Sequence, residues 1–339
     1  MAGCTLTGAL SVSSFIKNAV TVIHAPFGCA HQVFSMLHAM INDSELTLAP
    51  QIIVSNLSDR DVIFGGEECL AKALDKAALK NPDLIILVTS CVPETIGDDC
   101  QAVVNEHPAR QKIIYIPTSG FLGGCAKDGE NACLIGLAKL APHALPAEKT
   151  VALVGEKNLE TEVEENYAEV KRLLDRLGVT VTTRFCRNSS VDDLKKISSV
   201  SCFILRDERC AAAGKFLSEK FDRPVVSEFP RGLAGCIDFL KSVGSACGIS
   251  QNLIDEAVFD EEKYQALALA KFEKLRDKKI YLGAEPFDGT FEIAREAIKK
   301  LGMEESMDGA EIKLPFYLPV GVSGTVKMLN LWKRAIVYG

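Results

Sequence analysis

The chain has 339 residues, long enough for two or three cores, and its 47% hydrophobic and 24% charged content is that of a globular protein. A net charge of −7 argues against a nucleic-acid surface, which needs a basic face, and no apolar run approaches the ~20 residues of a membrane span. The N-terminus, MAGCTLTGALSVSSF, lacks the basic region of a secretory signal, so the twelve cysteines predict a cytoplasmic protein whose thiols are metal ligands, catalytic groups or small core residues.

Apolar runs alternate with helical patterns almost from the start, which predicts a parallel α/β architecture. Predicted strands in the first half are TVIHA (21–25), QIIVSN (51–56), LIILVTS (84–90) and KIIYIPT (112–118), continuous Val/Ile/Leu runs of the kind that buried parallel strands require. Helices fall between them, as at 67–79 (EECLAKALDKAAL) and after Pro93. The Ala/Pro-rich stretch 141–150 reads as a linker. Beyond it come a strand in TVALVGEKN (150–158), an amphipathic helix closed by Gly178, and strands in VTVTTRF, SCFILRD and RPVVSE, with a helix around 210–221. KIYLGAE (279–285) and a helix up to Gly302 open a third βα unit that the remaining tail leaves incomplete. The expected fold is α/β, with tandem Rossmann-like domains on parallel sheets and a reduced third domain. Its expected segments are 1–145, 150–275 and 276–339.

Ligands of open α/β sheets gather at the carboxyl ends of the strands. Cys29 follows TVIHAPFG and Cys91 follows LIILVTS, each where a helix starts and where N–H groups and the helix dipole favour a thiolate. Gly28 permits close backbone approach, and Pro26 and Pro93 stiffen the turns. Cys4 precedes another helical pattern, in a segment able to fold back on the same edge. Their long intervals form no compact metal motif. From position alone, shared metal binding and packing as small hydrophobes both stand. No phosphate-cradling Gly-x-x-x-x-Gly-Lys-Ser/Thr loop and no Gly-x-Gly-x-x-Gly turn is present, so neither ATP nor NAD has an evident cradle.

The words AGCTLTGAL, VIHAPFGCAHQ, DVIFGGEECLAKAL, TSCVPETIGDD and TSGFLGG occur in an order and spacing that resemble nitrogenase component 1 subunits. That family includes molybdenum–iron protein subunits, cofactor-assembly relatives, protochlorophyllide and chlorin reductases, and the nickel-sirohydrochlorin a,c-diamide cyclase. The resemblance is dense over 1–125 and looser over 150–230. It implies that Cys4, Cys29 and Cys91 hold an iron–sulfur cluster, 4Fe–4S or P-cluster-like, with His24, Gly28, His31, Gly65 and Gly66 in its neighbourhood. His24 reads equally well as a satisfied structural histidine, and Gly65 and Gly66 as a structural turn. Asp98 and Asp99 match the family too, but carboxylates in a helical first turn have a dipole reason to be there.

In the second segment the family's cofactor cysteine aligns near Arg206, with Cys202 and Cys210 on either side, so that ligand is expected to be absent; Cys186 and Cys210 are the weaker candidates. Cys69, Cys100 and Cys202 read as core residues, and Cys125, Cys133, Cys236 and Cys247 show no ligand pattern. The resemblance implies a reductase subunit that takes electrons from a separate ATP-hydrolysing iron protein. It further implies a dimer with itself or with a homologous subunit, and a substrate that includes tetrapyrroles among its candidates. A cofactor-assembly scaffold without turnover and a cluster-free α/β domain are the alternatives.

Overall fold

The computed structural model describes residues 3–43, 50–121, 123–286 and 289–338. In chain order the first elements are α1 (Thr5–Ser13), β1 (Ala19–His24), α2 (Phe27–Asp43), β2 (Ile52–Val54), α3 (Asp59–Phe64), α4 (Glu67–Ala78), β3 (Leu84–Thr89), α5 (Cys91–Ile96), α6 (Cys100–Glu106), β4 (Ile113–Ile116) and α7 (Ala126–Ala138). There follow β5 (Thr150–Val154), α8 (Val163–Arg176), β6 (Thr180–Phe185), α9 (Val191–Lys195), β7 (Cys202–Leu205), α10 (Ala211–Phe221) and β8 (Val225–Val226). The last are α11 (Ala234–Ala246), α12 (Gln251–Ala270), β9 (Lys279–Leu282), α13 (Thr290–Leu301), β10 (Glu304–Glu305), β11 (Ala310–Ile312) and α14 (Gly321–Lys333).

Among the described residues the strands form three sheets, ordered β2-β1-β3-β4, β6-β5-β7-β8 and β10-β9-β11. Each of the strands expected from 21–25 to 279–285 forms at its apolar run, β1 starting two residues earlier than expected. The expectation of a single unfinished βα unit after 279 is corrected: β10 and β11 both pair parallel to β9. Neither carries an apolar run, because these short strands flank one central strand and hide little of themselves. The segments 1–145, 150–275 and 276–339 thus hold one sheet each, whereas by compactness the chain divides in two. The first unit comprises 1–147, 151–161 and 181–225, and the second comprises 148–150, 162–180 and 226–339.

In the first unit β1 and β3 are central and buried along their whole length. Alternate residues serve opposite faces. Ile23, Ile86 and Val88 pack with Leu6, Leu10, Leu134 and Leu137 of α1 and α7. Val22, Ile85 and Leu87 pack with Leu70, Leu74 and Val104 of α4 and α6. Full burial of each such side chain contributes about 1.5–3 kcal/mol, which is why runs apolar at every position were selected here.

The second unit is pinned by a buried ion cluster. Arg172 of α8 donates to Glu261 of α12 at 2.5 and 2.8 Å and to Glu169 at 2.7 Å, and Glu169 also accepts the Val322 N–H at 2.8 Å. A Cβ on Gly321 would lie 2.0 Å from Glu169 Cγ, and Gly321 has φ 62°, so the start of α14 requires glycine.

Candidate metal centre

β1 and β3 are neighbours with His24 opposite Thr89, so the turns that follow them emerge side by side. The first turn leads into α2, where Cys29 sits in the opening helical turn with its N–H on the Pro26 carbonyl at 3.2 Å. The second leads directly to Cys91, the first residue of α5.

Cys4 reaches the same edge through helix packing. It is the N-cap residue of α1, and α1 lies against α7 with no room to spare. A Cβ on Gly8 would fall 1.7 Å from the Ala126 carbonyl oxygen, and one on Gly129 would fall 1.8 Å from that of Thr5. The Ala126 N–H donates to Gly3 at 2.9 Å, and the Thr5 hydroxyl donates to the Thr118 carbonyl. The Thr118 hydroxyl in turn donates to the Thr89 carbonyl at 2.5 Å, tying α1 back to the end of β3.

Cys29 and Cys91 thus open helices that follow neighbouring strands, and Cys4 heads a third helix. Burial pushes the Cys29 thiol above its ordinary value, Ser90 favours its thiolate, and the charges of Cys4 and Cys91 oppose it again. Cys4 and Cys29 are exposed and Cys91 half-buried, so the sulfurs are open to a ligand. A Cβ on Gly28 would meet nothing within 4 Å, which leaves space beside Cys29. Ser90 is 3% exposed, and its hydroxyl has no partner at full hydrogen-bond geometry. Sulfur is the soft donor that iron–sulfur clusters take, so the accessible Cys4, Cys29 and Cys91 fit such a cluster.

Beneath the cysteines lies a clasp. His24 is fully buried; its Nδ1 meets Ser55 Oγ at 2.9 Å and its Nε2 meets Asp98 Oδ2 at 2.9 Å. The other Asp98 oxygen accepts the Gly66 N–H at 2.9 Å, in place of a side-chain cap for α4. A Cβ on Gly66 would lie 2.6 Å from Asp98 and 3.1 Å from His24, while Gly65 takes φ 101°. Burial holds His24 below its ordinary pKa, and Asp98 raises it only in part. Both His24 nitrogens are thus engaged inside the fold. The reading of Asp98 as a helical first-turn residue is corrected: Asp99 caps α6, and Asp98 bridges β1 and α4. His31 is exposed on α2, its ring 5.9 Å from that of Phe27.

The second-sheet candidates do not gather open donors. Cys186 is buried with φ 66°. Cys210 is fully buried, 3.6 Å from Glu130, and its sulfur occupies the space a Cβ on Gly155 would need. Burial raises both thiols well above their ordinary range. Arg206 is a buried cation 3.8 Å from Glu160. This set does not fit a thiolate-bound metal cofactor. Cys125 is exposed and closes a capping box with Asp128 at the start of α7. Sequence reasoning passed over Ser90, which looks like any helix-capping serine, and over Gly8 and Gly129, whose tight contact appears only once α1 meets α7.

Residues 4–311 match the model of the nitrogenase component 1 type oxidoreductase family. The chain is 27% identical over 277 residues to the nitrogenase molybdenum-iron protein alpha chain of Methanothermococcus thermolithotrophicus, covering 76% of this chain and 57% of that one. It is 26% identical to the nitrogenase iron-molybdenum cofactor biosynthesis protein NifE of Clostridium pasteurianum, covering 91% and 68%. It is 25% identical to one of the subunits of the light-independent protochlorophyllide reductase of Nostoc punctiforme, covering 75% and 53%. The chain thus spans between 53% and 68% of the length of these relatives. The solved structure titled "Nitrogenase Cp1 at pH 5" shares the fold with a TM-score of 0.64 at 16% identity, over 90% of this chain and 63% of that one. Among the described residues no helix is long and apolar enough to cross a membrane. By sequence along most of its length and by the architecture of its sheets, this chain belongs to the nitrogenase component 1 type oxidoreductases.

Proposed function

We propose that this chain is the catalytic-component subunit of a nitrogenase-like reductase, in which an iron–sulfur cluster held by Cys4, Cys29 and Cys91 receives electrons from an ATP-dependent iron protein. What supports this reading is that the turns bearing Cys29 and Cys91 leave adjacent strands at one edge of the first sheet, while Cys4 heads the helix that is packed against α7. When bound, a cluster supplies one-electron storage between donor and substrate. The protein's own residues do the rest: the cysteines bind, the His24–Asp98–Gly66 clasp fixes their turns, and α1 carries Cys4. On the same helix, Gly8 and Ser11 line a small polar pocket with Glu130, Lys157, Asn158 and Arg209. At 1.5 Å rise per residue these positions lie about 6–10 Å along α1 from Cys4. A tetrapyrrole is among the substrates this reading includes, supported by the similarity to a protochlorophyllide reductase subunit. Three protein ligands invite a fourth from a partner, so a dimer with itself or with a homologous subunit belongs to the reading.

A scaffold on which a cofactor is assembled without turnover is the second reading, favoured by the similarity to NifE over 91% of the chain. Anaerobic purification with iron analysis and EPR tests the centre: Cys29→Ala and Cys91→Ala should strip most of the iron, and Cys202→Ala should not. Full iron retention in the first two overturns the assignment. Reductase turnover with an iron protein, ATP and dithionite distinguishes the catalytic subunit from the scaffold.

A further inference from the structure

One carboxylate beside the candidate centre carries a charge that no cation answers. Glu94 stands three residues after Cys91 on α5, and residues so spaced on a helix have their Cβ atoms about 5–6 Å apart. Although Glu94 is exposed, its carboxylate is held. One oxygen, Oε1, accepts the Thr89 hydroxyl at 2.5 Å and the Tyr115 hydroxyl at 2.9 Å. Thr89 is fully buried and is anchored in turn: its hydroxyl accepts the Thr118 N–H at 3.2 Å and its carbonyl accepts the Thr118 hydroxyl at 2.5 Å. Burial pushes the Tyr115 phenol up, so it stays a donor. Glu130, Glu156 and Glu261 each face a Lys or Arg nitrogen, at 2.9, 2.8 and 2.5 Å. Glu94 faces two neutral hydroxyls and, among the described residues, no cation within ion-pair distance. Two hydroxyls fix a charge in place without cancelling it.

We propose that Glu94 is a fixed negative charge that holds down the reduction potential of the cluster bound through Cys91. This rests on the cluster reading proposed above. Reduction by dithionite adds one electron to the cluster, breaks no bond and moves no proton. A carboxylate one helical turn from Cys91 opposes that added charge, so the oxidised state is favoured and the reduced cluster is the stronger electron donor. Water and salt limit the effect, because Glu94 is exposed. Glu94 acts through space and is not an iron ligand.

The test uses the full chain, reconstituted anaerobically with iron and sulfide, in wild-type, Glu94→Gln and Tyr115→Phe forms. Iron per chain and an EPR-monitored redox titration are read at low and at high ionic strength. Glutamine keeps the shape and the accepting oxygen and removes the charge. It should keep wild-type iron and raise the potential, by up to a tenfold change in the reduction equilibrium, or about 59 mV for one electron. That difference from the wild type should shrink at high salt, which a merely structural role would not do. Tyr115→Phe removes a hydrogen bond and keeps the charge, so its potential should stay at or below the wild-type value. An unshifted potential with full iron in Glu94→Gln overturns the inference while leaving the cluster reading intact. A potential raised as far by Tyr115→Phe as by Glu94→Gln overturns it in favour of the hydrogen bond. Loss of iron from a folded Glu94→Gln protein overturns it in favour of Glu94 as a ligand. Absence of iron from the wild type overturns both readings.

Discussion

Adding one methyl group to Gly8 should detach Cys4 from the centre without touching any cysteine. A Cβ there would sit 1.7 Å from the Ala126 carbonyl oxygen, 2.6 Å from its carbon and 2.9 Å from the Glu130 nitrogen, all of them backbone atoms that cannot rotate away. Carbon–oxygen contacts become comfortable near ~3.3 Å, so α1 must move off α7 by roughly 1.5 Å. That displacement loosens Leu6, Ala9, Leu10 and Val12, each now at most 3% exposed. It also strains the bonds from Ala126 to Gly3 and from Thr5 to Thr118. Overpacking of this kind costs about 2–3 kcal/mol, and local opening of α1 should become roughly 30- to 160-fold more frequent. Hydrogen exchange over residues 5–13 reads the opening, and iron per chain reads its consequence at Cys4. Gly129→Ala, which meets the Thr5 carbonyl at 1.8 Å, should behave alike, whereas Gly283→Ala meets only the Glu311 side chain at 3.3 Å and should be silent. Wild-type exchange in α1 together with full iron in Gly8→Ala would refute the claim that this helix contact positions Cys4.

Asp98→Ala leaves His24 Nε2 and the Gly66 N–H buried without partners, and should destabilise the first unit by about 3–5 kcal/mol in a urea titration. Asp98→Asn, which can still bridge both groups, should lose less. Because burial holds His24 below its ordinary 6.5, the unfolded chain takes up this proton first as pH falls. The His24 contribution to stability should therefore be complete above about pH 6.5 and decline as pH drops from there toward the folded value, by at most about 1.4 kcal/mol per unit, and His24→Gln should flatten that part of the pH–stability curve. In the second unit, Glu261→Ala leaves Arg172 with Glu169 alone and should cost about 3 kcal/mol, lowering the melting temperature, while iron content stays unchanged.

The strands were legible in the sequence because a buried parallel strand must be apolar on both faces, and that demand is written locally in TVIHA, LIILVTS and TVALV. The edge strands β10 and β11 hide too little surface to leave such a mark. Cys29 and Cys91 were legible as residues at helix starts, and the resemblance to a family of reductases joined Cys4 to them. That the turns bearing Cys29 and Cys91 emerge side by side depends on β1 lying next to β3, a pairing between segments some sixty residues apart that no local pattern encodes. The same holds for the finer parts of the centre. Asp98 looked like a helix-dipole carboxylate until its two oxygens were seen to reach β1 and α4. Residue type and spacing report what a side chain can do, and hydrogen-bond direction and steric clearance, which act over a few ångströms between distant segments, decide what it does.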